Sequence, residues 1–285
     1  MPQLRLGRFS RWIVLVGLWL FLGLGMAQAQ NKPQRVVSLN LCTDQLLLSL
    51  ADREQIASLS YLVQDTSISY LAEQAAGLPV NQGRAEAILF DGADLVLTGT
   101  YGQQNQATLL KAQGLEVLAL GPWMSLEEGR EQIRTLARRL GHLERGEALI
   151  GAIDNALART RNIVPVRRSI LGYDRGGWIS ASHSLMNELL VHMGFAPHQE
   201  ALGLGDGGMA RLETIIVRPP DYMLVDEDSR QAVDNGTALF LHPALLEAVP
   251  LSRRLVLPGR LTICGGASTP AAIDALAAEI RARVQ

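Results

Sequence analysis

Between Glu144 and Asn162 the chain reads ERGEALIGAIDNALARTRN. Leu149, Ile153, Ala156 and Leu157 recur at helical spacing, and Glu144, Arg145, Glu147, Asp154, Arg159 and Arg161 are distributed around them. No proline interrupts the run and Pro165 closes it, which predicts one helix of about 19 residues and roughly 28 Å. Taken alone, such a helix would simply pack on a core. Its surroundings give it a larger role, because a matched pattern stands on either side.

Upstream, Arg84-Ala85-Glu86-Ala87-Ile88-Leu89 precedes Asp94-Leu95-Val96-Leu97; downstream, Arg211-Leu212-Glu213-Thr214-Ile215-Ile216 precedes Asp221-Tyr222-Met223-Leu224. Both boxes read R-x-E-x-I-[LI], and in each the Glu lies eight positions before the Asp. Two copies are too few for a solenoid, but a pair flanking one long helix predicts two related lobes on a rod.

The chain begins with Arg5, Arg8 and Arg11 and no acid, followed by an uncharged apolar run of 15 residues, Trp12–Met26, and then Ala27-Gln28-Ala29. That is the pattern of a secretory signal peptide cleaved before Gln30, and the run is short for a membrane span, which takes about 20 residues. The expected organisation is a signal peptide (1–29), an N-terminal lobe (30–143), a linker helix (144–164) and a C-terminal lobe (165–285). Loss of Arg5, Arg8 and Arg11 would take the net charge from -2 to -5, a poor match to nucleic acid. Both cysteines, Cys42 and Cys264, lie in the exported part, where an oxidising compartment permits a disulfide.

Within each lobe, strand patterns alternate with helices across short loops: Arg35–Leu39, Ile56–Leu59, Leu95–Leu97 and Glu116–Leu120, then Ser169–Tyr173, Tyr222–Val225 and Arg254–Leu257. Thr43 or Asp44 is the expected cap of a helix Gln45–Leu50; Ser125 and Ser184 cap later ones, with Gly141 and Gly194 as stops. This alternation predicts α/β lobes with mainly parallel sheets. Ligands then bind beyond the carboxyl ends of the strands. Aromatics are only 5% of the chain, yet Tyr61, Tyr101, Trp123, Tyr173 and Trp178 fall in or beside those ends, which suits a large flat ligand.

Other chemistries find little support. His183, His192 and His198 are spaced nine and six apart, which matches no compact metal motif, so no metal site is expected and any metal would arrive already chelated. Ser180, Ser182 and Ser184 flank His183 without a nucleophile elbow or an acid partner, so an exported hydrolase is only the alternative. The Gly203–Gly208 loop lacks the Lys of a phosphate loop. Glu86 and Glu213 sit where a helix dipole favours an acid, and they would also offer two matched carboxylates to a symmetric partner.

Together, Arg35-Val36-Val37-Ser38-Leu39, the two boxes and the rod resemble the helix-linked (class III, TroA-like) periplasmic substrate-binding proteins of ABC importers, carriers of ferric siderophores, haem and vitamin B12. The resemblance spans the exported chain. It implies a periplasmic monomer without catalytic residues or a cofactor of its own, and a cleft between lobes lined by Tyr61, Tyr101, Trp123, Tyr173, Arg175 and Trp178. It also implies Glu86 and Glu213 pairing with arginines on the two copies of an inner-membrane permease. Under it, Cys42 and Cys264 come from opposite lobes near the cleft, as a disulfide restraining opening or as thiols touching the ligand. Asn40-Leu41-Cys42 departs from the Pro-Ser pair of many members. With only Arg175 and Arg211 placed to meet an anion, the expected cargo is a hydroxamate-type iron chelate or a corrinoid, with haem as the alternative. A ligand sensor of the same fold is the remaining reading.

Overall fold

The computed structural model describes residues 32–231 and 233–284. The expected signal peptide lies outside the described residues.

The N-terminal lobe is built on a five-stranded parallel sheet: β1 (Val36–Ser38), β2 (Ile56–Ser60), β3 (Val80–Asn81), β4 (Leu95–Gly99) and β5 (Glu116–Leu120), in the order β3-β2-β1-β4-β5. Helices α1 (Leu41–Leu50), α2 (Ala85–Phe90) and α3 (Gln104–Ala112) connect its strands, and α4 (Leu126–Leu140) leads out of it. The first helix starts earlier than the sequence suggested. Asn40, in extended conformation, accepts a hydrogen bond from the Thr43 amide at 2.9 Å and is the cap, which places Thr43 and Asp44 inside the first turn. Ser125 caps α4 by accepting from the Glu128 amide, and Gly141 ends it at φ 78°, as expected.

The rod is α5 (Leu143–Thr160), 18 residues and about 27 Å long. It stops short of Asn162, which adopts a left-handed φ of 51°. Ile150, Ile153, Ala156 and Leu157 form its buried stripe, and Gly146 lets it approach α4 closely, since a Cβ there would sit 2.7 Å from that of Ala137. Its charged residues pair outward: Glu147 with Arg134 at 2.8 Å and Asp154 with Arg130 at 2.6 Å, while Arg159 reaches Asp274 at 2.9 Å.

Beyond it, β6 (Ser169–Gly172), β8 (Ala196–Pro197), β10 (Tyr222–Asp226) and β11 (Arg254–Leu257) form a second parallel sheet in the order β11-β10-β6-β8. The short β7 (Trp178–Ile179) and β9 (Gly208–Met209) pair antiparallel beside it, a ribbon the sequence reading did not foresee. The helices of this lobe are α6 (Leu185–His192), α7 (Leu212–Val217), α8 (Asn235–Ala238), α9 (Pro243–Ala248), α10 (Gly259–Thr262) and α11 (Thr269–Arg283).

The duplicated boxes are structural twins. Asp94 closes the first lobe by accepting from the Gln34 and Arg35 amides at 2.7 and 3.0 Å, pinning the entry to β1 against β4. Asp221 does the same work in the second, accepting from the Ser169 amide at 2.8 Å where β6 begins. Ile88 and Ile215 are both fully buried, and Glu86 and Glu213 both lie exposed in a first helical turn.

One apolar cluster runs through both lobes. Leu47, Leu59 and Leu97 from the first meet Ile133 and Leu136 of α4, Ile150 and Ile153 of α5, and Ile170, Leu224 and Ile273 from the second. The rod is therefore the middle layer of a shared core. Rotating one lobe away from the other would strip apolar surface from that layer, which opposes wide hinge opening.

Candidate functional site

The carboxyl ends of both parallel sheets open onto one cleft. From the first lobe come Asn40 after β1, Thr100 and Tyr101 after β4, and Trp123 and Met124 after β5; from the second come Ser180, Met186, Thr262 and Ile263. The opening holds about 400 Å³. Ser180, Met186, Thr262 and Ile263 also border a more enclosed recess of about 290 Å³ between β6, β10 and α6. A concave, mainly apolar site with a few convergent polar groups is the usual form of a small-molecule pocket.

Trp123 fixes the near wall. It is 7% exposed, and its ring is sandwiched between two glycines, one from each lobe. A Cβ on Gly129 of α4 would come within 2.2 Å of the ring, and one on Gly265 within 2.4 Å. Next to that contact Cys42 of α1 and Cys264 are joined in a disulfide, their Cα atoms 5.1 Å apart and 222 residues separated in sequence. Leu126 at the head of α4 donates its amide to Glu188 of α6 at 2.7 Å, a further tie across the lobes. The edge of the cleft is thus stapled beside its aromatic wall.

The other aromatic candidates are dispersed. Tyr101 stands on the rim, 75% exposed, and Tyr61 projects from the first lobe without lining the cleft. Trp178 is 49% exposed on β7 opposite Met209, outside the cleft lining. Arg175 forms an ion pair with Asp234 on the surface. Tyr173 does not reach the cleft: it is fully buried in the outer core of the second lobe, edge-on to Phe240 with ring centroids 5.5 Å apart. Strand parity is the reason. Leu171 and Tyr173 share the outer face of β6, whereas Ile170 faces the central core.

The same parity brings forward residues the sequence reading passed over. The β6–β10 ladder ends at the Leu224–Gly172 pair; Asp226 closes β10 two residues on, and Asp174 lies two residues past the end of β6. Both border the recess. Burial pushes the Asp174 carboxyl up from the ordinary range, the charge of Asp226 adds to the rise, and a hydrogen bond from Ser180 pulls it down. Among the described residues that line the opening and the recess there is no Lys, Arg or His.

The histidines do other work. His142 bonds Asp52 at 2.9 Å, and His192 and His198 bond the Leu157 and Arg218 carbonyls at 2.8 and 2.9 Å. Among the described residues, no group of three or more His, Cys, Asp or Glu could hold a metal ion.

Comparison with known proteins accounts for this architecture. A periplasmic binding protein family model matches residues 36–249. The search of curated proteins finds no match. Solved structures with the same fold include the periplasmic heme-binding protein RhuT from Roseiflexus sp. RS-1 in apo form, at 21% identity and a TM-score of 0.70, covering 88% of this chain and 98% of that one. A periplasmic heme-binding protein from Pseudomonas aeruginosa is similar at 19% identity and a TM-score of 0.68, covering 88% and 93%. An ABC transporter substrate-binding protein from Listeria monocytogenes EGD-e is similar at 14% identity and a TM-score of 0.65, covering 87% and 98%. With two parallel-sheet lobes on one helix and a cleft at their strand ends, the chain belongs to the periplasmic binding protein family, in the helix-linked class that serves ABC importers.

Proposed function

We propose that this protein captures a hydroxamate-type iron chelate or a corrinoid in the inter-lobe cleft and delivers it to the permease dimer of an ABC importer. The lining of the cleft carries the reading. Its walls are apolar and aromatic, its polar groups are amides, hydroxyls and two carboxylates, and the described lining offers no cation. A multiply anionic catecholate complex would enter such a site without a counter-charge, at a large desolvation cost. Neutral or cationic chelates avoid that cost.

Haem is the second reading, favoured because several of the similar structures are described as heme-binding proteins. Its propionates would require cations that the described lining does not supply.

Delivery is assigned to Glu86 and Glu213, equivalent and exposed on the two lobes, where a two-fold permease would meet two equivalent carboxylates. Native mass spectrometry of the protein purified from the periplasm, mixed with ferric hydroxamates, cobalamins and haem, tests the cargo. A retained hydroxamate or corrinoid adduct is the expected result. Retention of haem alone would replace the first reading by the second, and binding of none would remove metal chelates as the cargo.

A further inference from the structure

We infer that Asn40 is a recognition residue of the cleft, donating from its side-chain Nδ2 to an uncharged carbonyl-type oxygen of the cargo, an inference that rests on the receptor reading above. Asn40 follows β1 and caps α1, so the fold itself holds it in place. Its Oδ1 accepts from the Thr43 amide at 2.9 Å, with the Thr43 hydroxyl 3.1 Å from the same oxygen. A backbone N–H can only donate, so the atom that faces it is the oxygen, and the N–H groups of the amide point the other way. Capping therefore settles an orientation that a free asparagine would leave open.

Where those donors lie decides what they can do. Nδ2 sits over Gly99 at the end of β4, so close that a Cβ there would collide with it. Asn40 and Gly99 both line the opening of the cleft. Nδ2 donates to no described residue, and it is open to solvent rather than buried. Other polar side chains of the lining are engaged within the protein: Ser180 hydrogen-bonds Asp174, and the Thr262 hydroxyl donates to the Gly259 carbonyl at 3.3 Å. A donor held rigid in a mainly apolar wall selects for a ligand that brings an acceptor to it. Hydroxamate groups and the primary amides of a corrinoid both present such an oxygen, without a negative charge for which the described lining has no cation.

The donor is tested first without reference to the cargo. N,N-dimethylacetamide offers a carbonyl oxygen and no N–H. In heteronuclear NMR spectra of the full-length exported protein, the Asn40 side-chain amide is the one missing from Asn40→Asp. Titration with dimethylacetamide should move that signal further than the side-chain amides of the exposed Asn105 and Gln113, which report the solvent alone. Equal shifts overturn the proposal.

The second test uses chelates. Asn, Asp and Ser cap helices about equally well, so Asn40→Asp and Asn40→Ser keep α1 and remove the amide donor. Affinity for ferrioxamine E and for cyanocobalamin, both uncharged and rich in carbonyl oxygens, is measured by isothermal titration calorimetry beside the urea midpoint of each variant. The expected result is a loss of about tenfold in both variants, at an unchanged midpoint, for whichever compound wild type retains. The compound that responds tells a hydroxamate acceptor from a corrinoid one. Gly99→Ala, which keeps Asn40 and fills the space of its Nδ2, should weaken binding as well. Unchanged affinity in both Asn40 variants leaves Asn40 a helix cap alone and overturns the proposal, as does a loss that only follows a fall in midpoint. If wild type binds neither compound, the cargo reading fails, and the donor stands or falls by the dimethylacetamide titration.

Discussion

The two lobes solve the same scaffolding problem with the same residues and then diverge where they face the ligand. Asp94 clamps the residues that lead into β1 and Asp221 the first residue of β6, and Ile88 and Ile215 are each buried on a short helix. At the strand ends the likeness stops. The first lobe ends in Tyr101, Trp123 and neutral loops; the second ends in Asp174 and Asp226. A doubled scaffold thus carries an asymmetric cleft, with repetition confined to what holds the sheets and what faces outward. The division is physical. A clamp needs one acid at the foot of a strand whatever the ligand is, whereas the loops at the other end answer only to cargo.

The largest expected effect comes from breaking the link between the lobes. Cys42→Ala/Cys264→Ala opens a covalent loop of 222 residues. Loop-closure entropy puts the loss near 5 kcal/mol as an upper figure, since strain and residual structure usually reduce it. Chemical denaturation of the oxidised wild type against the double variant should show a fall in midpoint of that order. Reduction with dithiothreitol should reproduce the fall in wild type and leave the variant unmoved. A variant as stable as wild type would mean that the shared core around α5 already holds the lobes together unaided.

Next come the buried charges, which differ in sign between the lobes. Asp44 is fully buried, accepting from the Ser60 amide at 3.0 Å and from its hydroxyl, and Arg254 is buried in the second lobe with its guanidinium on the Val249 and Phe240 carbonyls. Burial pushes Asp44 up from 3.8 to about 6, against hydrogen bonds from Ser38 and Ser60, and pushes the Arg254 guanidinium down. The sign for Asp44 follows from the raised pKa. Below about pH 4 both folded and unfolded chains hold the proton and its contribution is fully present; it is lost as pH rises through about 6. A shift of this size corresponds to about 3 kcal/mol. Asp44→Asn should therefore flatten the stability profile between about pH 4 and pH 6 and raise the melting temperature at pH 7. A profile whose slope survives the substitution would assign that titration elsewhere.

The clamps themselves should each cost about 2 kcal/mol when removed, the worth of charge-assisted bonds to backbone amides. Asp94→Ala and Asp221→Ala are expected to destabilise alike in urea. The Ser169 amide and hydroxyl hold Asp221 below the ordinary carboxylate range, so its share of stability is present at neutral pH and lost on acidification through its depressed pKa, opposite in sign to Asp44. Unequal costs for the two clamps would show that the repeated pattern has drifted in strength even where its geometry persists.

How far this could be read from sequence depended on period. The rod, the bounds of β5 and β11 and the caps Ser125 and Ser184 were all legible, because local periodicity and capping chemistry determine them. Face assignment was not. Tyr173 sits at a strand end beside Asp174, and composition alone favoured the aromatic as a ligand contact; one step of parity puts the ring in the outer core and the acid at the cleft. The Asn40 cap was hidden for a similar reason, since Thr43 and Asp44 are equally good capping residues by type and only the backbone conformation at Asn40 decides between them. Gly129 and Gly265 carried no visible signal, because what they make room for, the Trp123 ring, comes from a separate loop.

The smallest effect on stability should come from the outward faces, where the comparison between lobes becomes functional. Glu86 and Glu213 are exposed and can be replaced by Gln within about 0.5 kcal/mol, as for most surface positions. One helical turn on from each stands an exposed apolar residue, Phe90 at 91% and Val217 at 78%, on the same face as its glutamate. Each lobe therefore presents a carboxylate beside an apolar contact, the composition of an interface whose charges set orientation while its apolar groups supply contact energy. Reversing both charges to Lys should abolish cargo uptake in cells while ligand affinity in solution stays unchanged, and Phe90→Ser/Val217→Ser should lower uptake by a smaller factor. If uptake falls only for the apolar pair, docking is driven by burial and the glutamates serve the helix termini alone. If reversing one charge abolishes uptake and reversing the other leaves it intact, the partner does not use the two lobes equivalently, and the symmetry of the boxes ends at the scaffold.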